Sequence, residues 1–200
     1  MSVSCSLKIR LLVVSEFQSM YDARAINGGF FMKKIVILIE NMFEEMELLY
    51  PKFRLIEEKH QVTIAGPKAK ETYLGKHGYP QQSDISFKEL KPEHFDAVIV
   101  PGGFAPDYIR RDPHAIEFVS KMDQEKKCVA MICHALWVGC SAKILKDKKV
   151  TSYYSIKDDV VNAGGRWVDQ NVVVDHNLIS SRMVSDLPDF ALAIVNCLKK

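Results

Sequence analysis

Cys133 and His134 stand side by side where one apolar run, residues 128–132, stops and another, residues 135–140, begins. Met131 and Ile132 close a short buried strand. Ala135, Leu136, Trp137, Val138 and Cys140 suit a buried helix, which puts Cys133 on a strand-to-helix turn. Such a turn is a nucleophile elbow: it pushes the side chain out at the sheet's edge and aims the next N–H, that of His134, at the place where an oxyanion would form. A thiol near its reference pKa of about 8.5 is mostly protonated at neutral pH, so nucleophilic work requires a helix N-terminus or a neighbouring base. The position supplies the first, and His134 is the candidate base. The same decapeptide also fits a buried structural thiol, since free Cys is among the most buried residue types.

The surrounding pattern predicts the elements that hold this pair. Residues 33–40 form a continuous Ile/Val/Leu run of the kind a parallel sheet produces. Pro51 is tolerated only in a helix's first turn, which predicts that residues 41–46 are loop and makes Glu44 a loop carboxylate at a strand's C-terminal end. Leu49, Phe53 and Ile56 then mark the inner face of the helix that follows. Residues 61–65 read as the next strand, followed by a β-rich excursion with turns at Gly75 and Gly78. The strand at 95–100 ends in Pro101-Gly102-Gly103, and Ala105-Pro106-Asp107-Tyr108 opens a short helix before a longer one from about 113 to 126. Beyond the elbow come a helix to about Lys143, a strand at 150–154, a helix at 156–163 and a hairpin at 172–175 and 178–181. A last helix is capped by Ser185 or Asp186, with Pro188 in its first turn, and buries Leu187, Phe190, Ala191, Ile194 and Leu198. Alternating strands and helices predict a three-layer α/β fold. Glu44, the Gly102-Gly103/Asp107 segment and Cys133 would then all lie past carboxyl ends of buried strands, where open α/β sheets place their sites.

Composition narrows the classes. The chain has 200 residues, 48% of them hydrophobic, and a formal net charge of +2, which describe one soluble globular domain with too little basic excess for nucleic acid. There is no membrane-length apolar run, and five cysteines without CxxC or Cys/His ligand spacing argue for reduced thiols in the cytoplasm and against a structural metal. Residues 1–31 show neither period, and the globular pattern starts at Met32. The codons for Asn27 to Met32 can contain a purine-rich ribosome-binding site, so residues 1–31 are expected to be a non-native or disordered extension and 32–200 the folded domain. Detection of residues before Met32 by mass spectrometry of the native protein would overturn the former.

From Met32 onward the chain resembles the PfpI family of intracellular proteases and deglycase-like stress proteins, within the class I glutamine amidotransferase-like superfamily. The resemblance is carried by Phe43-Glu44-Glu45-Met46-Glu47, Gly75-Lys76-His77-Gly78-Tyr79, Pro101-Gly102-Gly103 with Ala105-Pro106-Asp107, the Cys133-His134 elbow, and Thr151-Ser152-Tyr153 with Ile156-Lys157-Asp158-Asp159. It implies a flavodoxin-like sandwich with a mostly parallel central sheet. It further implies Cys133 as nucleophile, His134 as acid/base, Glu44 as the buried carboxylate beside the thiol, and an oxyanion hole from the Gly103 and His134 N–H groups. Asp107 matches the family's acidic residue that reaches His across a subunit interface, so a homodimer or larger homo-oligomer is implied, with no cofactor. The bland reading of Glu44, and equally of Glu45 and Glu47, is a helix-start acid favoured by the macrodipole; that of Asp107 is a helix cap. Ala135-Leu136 and Tyr154-Ser155 depart from the family's usual Gly and Pro-Gly, which bears on substrate choice more than on chemistry.

The expected activity is cysteine-dependent hydrolysis of carbonyl substrates, either aldehyde adducts or peptides, in stress protection. The competing reading is a redox sensor or holdase in which Cys133 is oxidised. A glutamine amidotransferase is disfavoured, because the chain has no glutamate after Glu125 to partner His176. His60, His94, His114 and His176 read as helix-end, surface or turn residues, and His77 has no assigned role.

Overall fold

In the computed structural model, which describes residues 32–199, a seven-stranded sheet has the order β10-β11-β7-β6-β1-β2-β5. Its strands are β1 (Lys34–Leu38), β2 (Gln61–Gly66), β5 (Ile85–Ser86), β6 (Ala97–Val100), β7 (Cys128–Ile132), β10 (Val172–Asp175) and β11 (Leu178–Ser181). Every pairing is parallel except the β10–β11 hairpin, which turns at His176 with φ of 57°. The central strands have no exposed face: β6 and β7 are buried throughout, as continuous apolar runs require. The fold is the expected flavodoxin-like α/β sandwich. The expectation for residues 1–31 falls outside the described residues.

Helices α1 (Glu45–Glu57) and α6 (Leu187–Leu198) pack together against the sheet. Helices α2 (Ala105–Ile109), α3 (Pro113–Gln124), α4 (Leu136–Ser141) and α5 (Lys157–Asn162) form a second contiguous set, with α3 and α4 seated on β7. Asp112 caps α3 by accepting from the His114 and Ala115 N–H groups, and Pro113 fits the first position, where no N–H is needed. Asp186 precedes α6, whose Leu187, Phe190, Ala191, Ile194 and Leu198 are buried as the sequence indicated. A hairpin, β3 (Thr72–Leu74) with β4 (Pro80–Gln82), brackets the Gly75–Gly78 turn.

Three local expectations need correction. Pro51 lies inside α1 rather than in its first turn, so the helix starts at Glu45 and the preceding loop is shorter. Burial of Leu48, Pro51 and Leu55 against the core outweighs the missing hydrogen bond. For the same reason Leu49, Phe53 and Ile56 are not the inner face: Phe53 and Ile56 are exposed with Met46 and Tyr50, and the inner face carries Glu47. The strand expected at 150–154 shrinks to β8 (Lys149–Val150), which pairs with β9 (Arg166–Trp167) outside the main sheet. Thr151, Ser152 and Tyr153 instead cross beneath the elbow, where the Tyr153 N–H donates to the Cys133 carbonyl at 3.3 Å.

Candidate active site

Cys133 follows the last residue of β7 and holds φ at 63°, a left-handed conformation that costs a non-glycine residue about 1–2 kcal/mol. That cost turns the thiol away from the strand and leaves it half-buried, at the start of a single 3₁₀ turn that runs into α4. The Gly103 and His134 backbone amides both pull the Cys133 pKa down, as N–H groups aimed toward the sulfur do. His134 Nδ1 lies 3.2 Å from Sγ, within direct reach of the thiol. Its Nε2 lies 3.1 Å from Ser155 Oγ, its ring stacks on Tyr153 at 5.0 Å, and Trp137 meets its edge at 5.1 Å. Burial, and then the charge of Lys76, lower the His134 pKa and keep the ring neutral as a proton acceptor.

The carboxylate at the thiol is Glu47, not Glu44. Glu47 is 1% exposed, bonds the Cys133 thiol, and accepts from the Gly102 N–H at 2.7 Å. Burial pushes its carboxyl up to about 8, helped by the charge of Glu44 and opposed by the Gly102 N–H. The Cys133 thiol is also pushed up, first by burial and then by Glu47, against the pull of the two amides. A buried thiol and carboxyl side by side resist double ionisation, so Glu47 in its acid form is the neighbour compatible with a thiolate.

Glu44 lies one turn earlier, as the residue before α1, and forms an ion pair with Lys76 Nζ at 2.6 Å. This pair raises the Lys76 pKa and keeps an ammonium near Cys133 and Glu47. Asp107, on α2, pairs with Arg111 within the chain. The structure therefore brings Cys133, His134 and Gly103 together, sets Glu44 one ion pair away, and gives Asp107 an intrachain partner.

The glycine pair is needed here for close approach. A Cβ on Gly102 would lie 2.6 Å from both Cys133 Cβ and Glu47 Oε2. Gly103 has φ of 73° and bridges to Phe43, and a Cβ there would strike the Met42 carbonyl. Glu45 accepts from the His77 N–H at 2.6 Å and meets His77 Nδ1 at 2.9 Å, which gives His77 its part: it anchors the loop that carries Lys76. Burial opposes ionisation of Glu45, but its hydrogen bonds from His77 and neighbouring amides lower its pKa overall. Glu44, Glu45 and His77 place possible metal-ligand atoms within 4.8 Å of one another. A dication there would have to displace Lys76 from Glu44, so the donor set fits a loop anchor better than a metal.

Reasoning from sequence missed Glu47, Lys76, Ser155 and the aromatic pair Tyr153 and Trp137. Glu47 alone left a signal, since it shares the helix face of Leu48, Pro51 and Leu55.

Fold and site together define an α/β protein with a cysteine–histidine nucleophile elbow. The chain belongs to the DJ-1/PfpI family, whose profile matches residues 33–197. It is 46% identical over 166 residues to a Pyrococcus furiosus protein named deglycase PfpI, covering 83% of this chain and 99% of that one. It is 36% identical to a Bacillus subtilis protein named putative cysteine protease YraA, covering 84% and 99%. Drosophila melanogaster DJ-1beta superposes with a TM-score of 0.79 at 27% identity, covering 85% of this chain and 92% of that one. The DJ-1/ThiJ/PfpI-like part of a two-domain Anabaena variabilis protein gives 0.82 at 38% identity, covering 83% and 48%. Among the described residues no helix is long and apolar enough to cross a membrane.

Proposed function

We propose that this chain is a cofactor-independent cysteine hydrolase acting on carbonyl substrates, with aldehyde adducts of amines and thiols favoured over peptides. The reading rests on Cys133: a strained residue at a strand's end, 3.2 Å from a neutral imidazole and faced by two amide donors. His134 Nδ1 takes the thiol proton as sulfur adds to the carbonyl carbon. The oxygen, now negative, is met by the Gly103 and His134 N–H groups. On a peptide, collapse expels the amine, to which His134 returns the proton, and water then cleaves the thioester; on an aldehyde adduct, the Cys133 sulfur replaces the amine or thiol at the carbinol carbon, His134 protonates the departing group, and the hemithioacetal so formed returns the thiol as it releases the aldehyde. The names of the Pyrococcus furiosus and Bacillus subtilis relatives support a hydrolase, and the former favours adducts.

Assembly into a homo-oligomer belongs to the same proposal. Met46, Tyr50, Phe53 and Ile56 leave an apolar strip exposed on α1, at 37–54% per residue, which a second copy would cover. A partner's Asp107 at His134 would complete the site. The cytoplasm and a role in stress protection are proposed with it.

The test is steady-state consumption of methylglyoxal, and its release from a glycated thiol or amine, by wild type and by Cys133→Ser. Many turnovers lost in the variant support the reading. The contact between Cys133 and an acid-form Glu47 favours one second reading, because a carboxyl O–H would also stabilise an oxidised sulfur. Absence of turnover, with one peroxide equivalent consumed at Cys133, would move the assignment to that redox-sensing role.

A further inference from the structure

At the sheet edge opposite the elbow, a cavity of about 590 Å³ has two cysteines in its wall, Cys128 and Cys197. Cys128 is the first residue of β7, five positions upstream of the nucleophile, and is 5% exposed. Cys197 lies in the last turn of α6, which packs on β7, and is half-buried. Both residues line this one cavity from elements 69 residues apart in sequence, and the Cys197 thiol, ahead of burial, is what raises the Cys128 pKa. Lys33, Lys126, Lys127 and Lys148 line the same cavity with Asp96 and Asp123. Neither thiol takes part in the chemistry at Cys133.

We infer that Cys128 and Cys197 are a redox-active dithiol, closed to a disulfide by a hydroperoxide that enters this cavity. The half-buried Cys197 reacts first, as the more accessible of the two. Its thiolate attacks the peroxide; an S–O bond forms, the O–O bond breaks, and hydroxide leaves with a proton as water, giving a sulfenic acid. The Cys128 sulfur then displaces the sulfenic oxygen, which departs as a second water. Two thiols and one hydrogen peroxide become one disulfide and two waters, so the peroxide supplies the whole two-electron oxidation. Cys197 sits at a helix end, where the adjustment from thiol contact to a bond near 2.05 Å asks least of the backbone. The bond would tie the first residue of β7 to α6 and leave the elbow's own geometry untouched.

The experiment exposes the full-length wild-type protein to one to ten equivalents of hydrogen peroxide, alkylates remaining thiols, and maps tryptic peptides without reduction. The expected product joins peptide 128–143 to peptide 183–199, and fragmentation places the bond at Cys128 rather than Cys133 or Cys140. It is two hydrogens lighter than the separate peptides, reverses with dithiothreitol, and accompanies a rise of roughly 10 °C in Tm, as cross-linking a loop of this length predicts. Cys197→Ala retains basal activity and loses both the bond and the Tm shift. Sulfinic acid at Cys197 with Cys128 still alkylatable, a bond to another cysteine, or unchanged thiols at ten equivalents would each overturn the inference.

Discussion

Glu47 offers the sharpest test of the site, because its burial makes opposite demands on stability and on function. Burial pushes its carboxyl up to about 8, whereas an ordinary glutamate titrates near 4.5. Between those values the folded protein holds a proton that the unfolded chain has released, so the native state binds more protons and stability falls as pH rises. At about 1.4 kcal/mol per pH unit in general, the loss accumulates to roughly 2–3 kcal/mol from pH 5 to pH 7 and to a few kcal/mol over the whole window. Glu47→Gln keeps the shape, still accepts from the Gly102 N–H, and carries no charge at any pH. The difference in unfolding free energy between variant and wild type should therefore grow in the variant's favour by roughly 2–3 kcal/mol from pH 5 to pH 7. That corresponds to roughly 5–10 °C in Tm for a chain of this size. Urea titrations of both proteins at pH 5, 6, 7 and 8 read it, since every titrating group that does not interact with Glu47 cancels in the difference. A difference that is flat with pH, or that moves toward wild type, would show that Glu47 ionises as an ordinary carboxylate and would remove the acid-form neighbour from the mechanism.

Gly103→Ala should cost about 2–4 kcal/mol by denaturant titration, since a Cβ meets the Met42 carbonyl at positive φ; an unchanged midpoint would refute the tight-approach argument. Lys76→Met removes a charge that depresses the His134 pKa, so the acid limb of kcat/KM against pH should move to higher pH, and Lys76→Arg should restore it. Asp186, 3% exposed and bonded to Arg182 through both oxygens at 2.9 and 3.1 Å, should cost about 2–3 kcal/mol when replaced by Ala, measured by urea unfolding. Ser155→Ala removes the partner of His134 Nε2 within the chain and should lower kcat about tenfold or less, with KM little changed.

The strands were legible because each is a run of one kind: residues 35–38, 97–100 and 128–132 are apolar without interruption, and only a doubly covered parallel sheet uses such runs. The elbow was legible for the same reason, since a strand that stops at a cysteine before a helix leaves that residue one geometry. Helix α1 was not legible. Apolar residues surround it, so the set Leu49, Phe53 and Ile56 looked as good a core face as Leu48, Pro51 and Leu55, and only the neighbouring layer selects between them. The choice of Glu44 came with the family resemblance, and the misplaced helix start gave no reason to prefer Glu47. Glu44 and Glu47 differ by three residues, which is nearly a full turn, so they share a face and are separated by about 4.5 Å along the axis. A helix started one turn later exchanges their places. Lys76, Tyr153 and Ser155 come from loops whose position depends on contacts such as His77 with Glu45, which no local pattern encodes.

Four features that run against local preference meet at three adjacent strand ends. Cys133 holds a left-handed backbone, Gly103 a positive φ, Gly102 gives up its side chain to the approach of Cys133, and Glu47 holds a carboxyl that burial keeps from ionising. Each runs against local preference, and each faces the same sulfur or the backbone beside it. A structural thiol needs none of this, because a buried cysteine packs as a small apolar residue on an ordinary strand. Cys128, at the other end of β7, is buried on ordinary strand backbone with no positive φ and stands outside this constellation. The contrast between two cysteines five residues apart, one relaxed and one strained among oriented N–H donors, is the physical ground for assigning the nucleophile to Cys133.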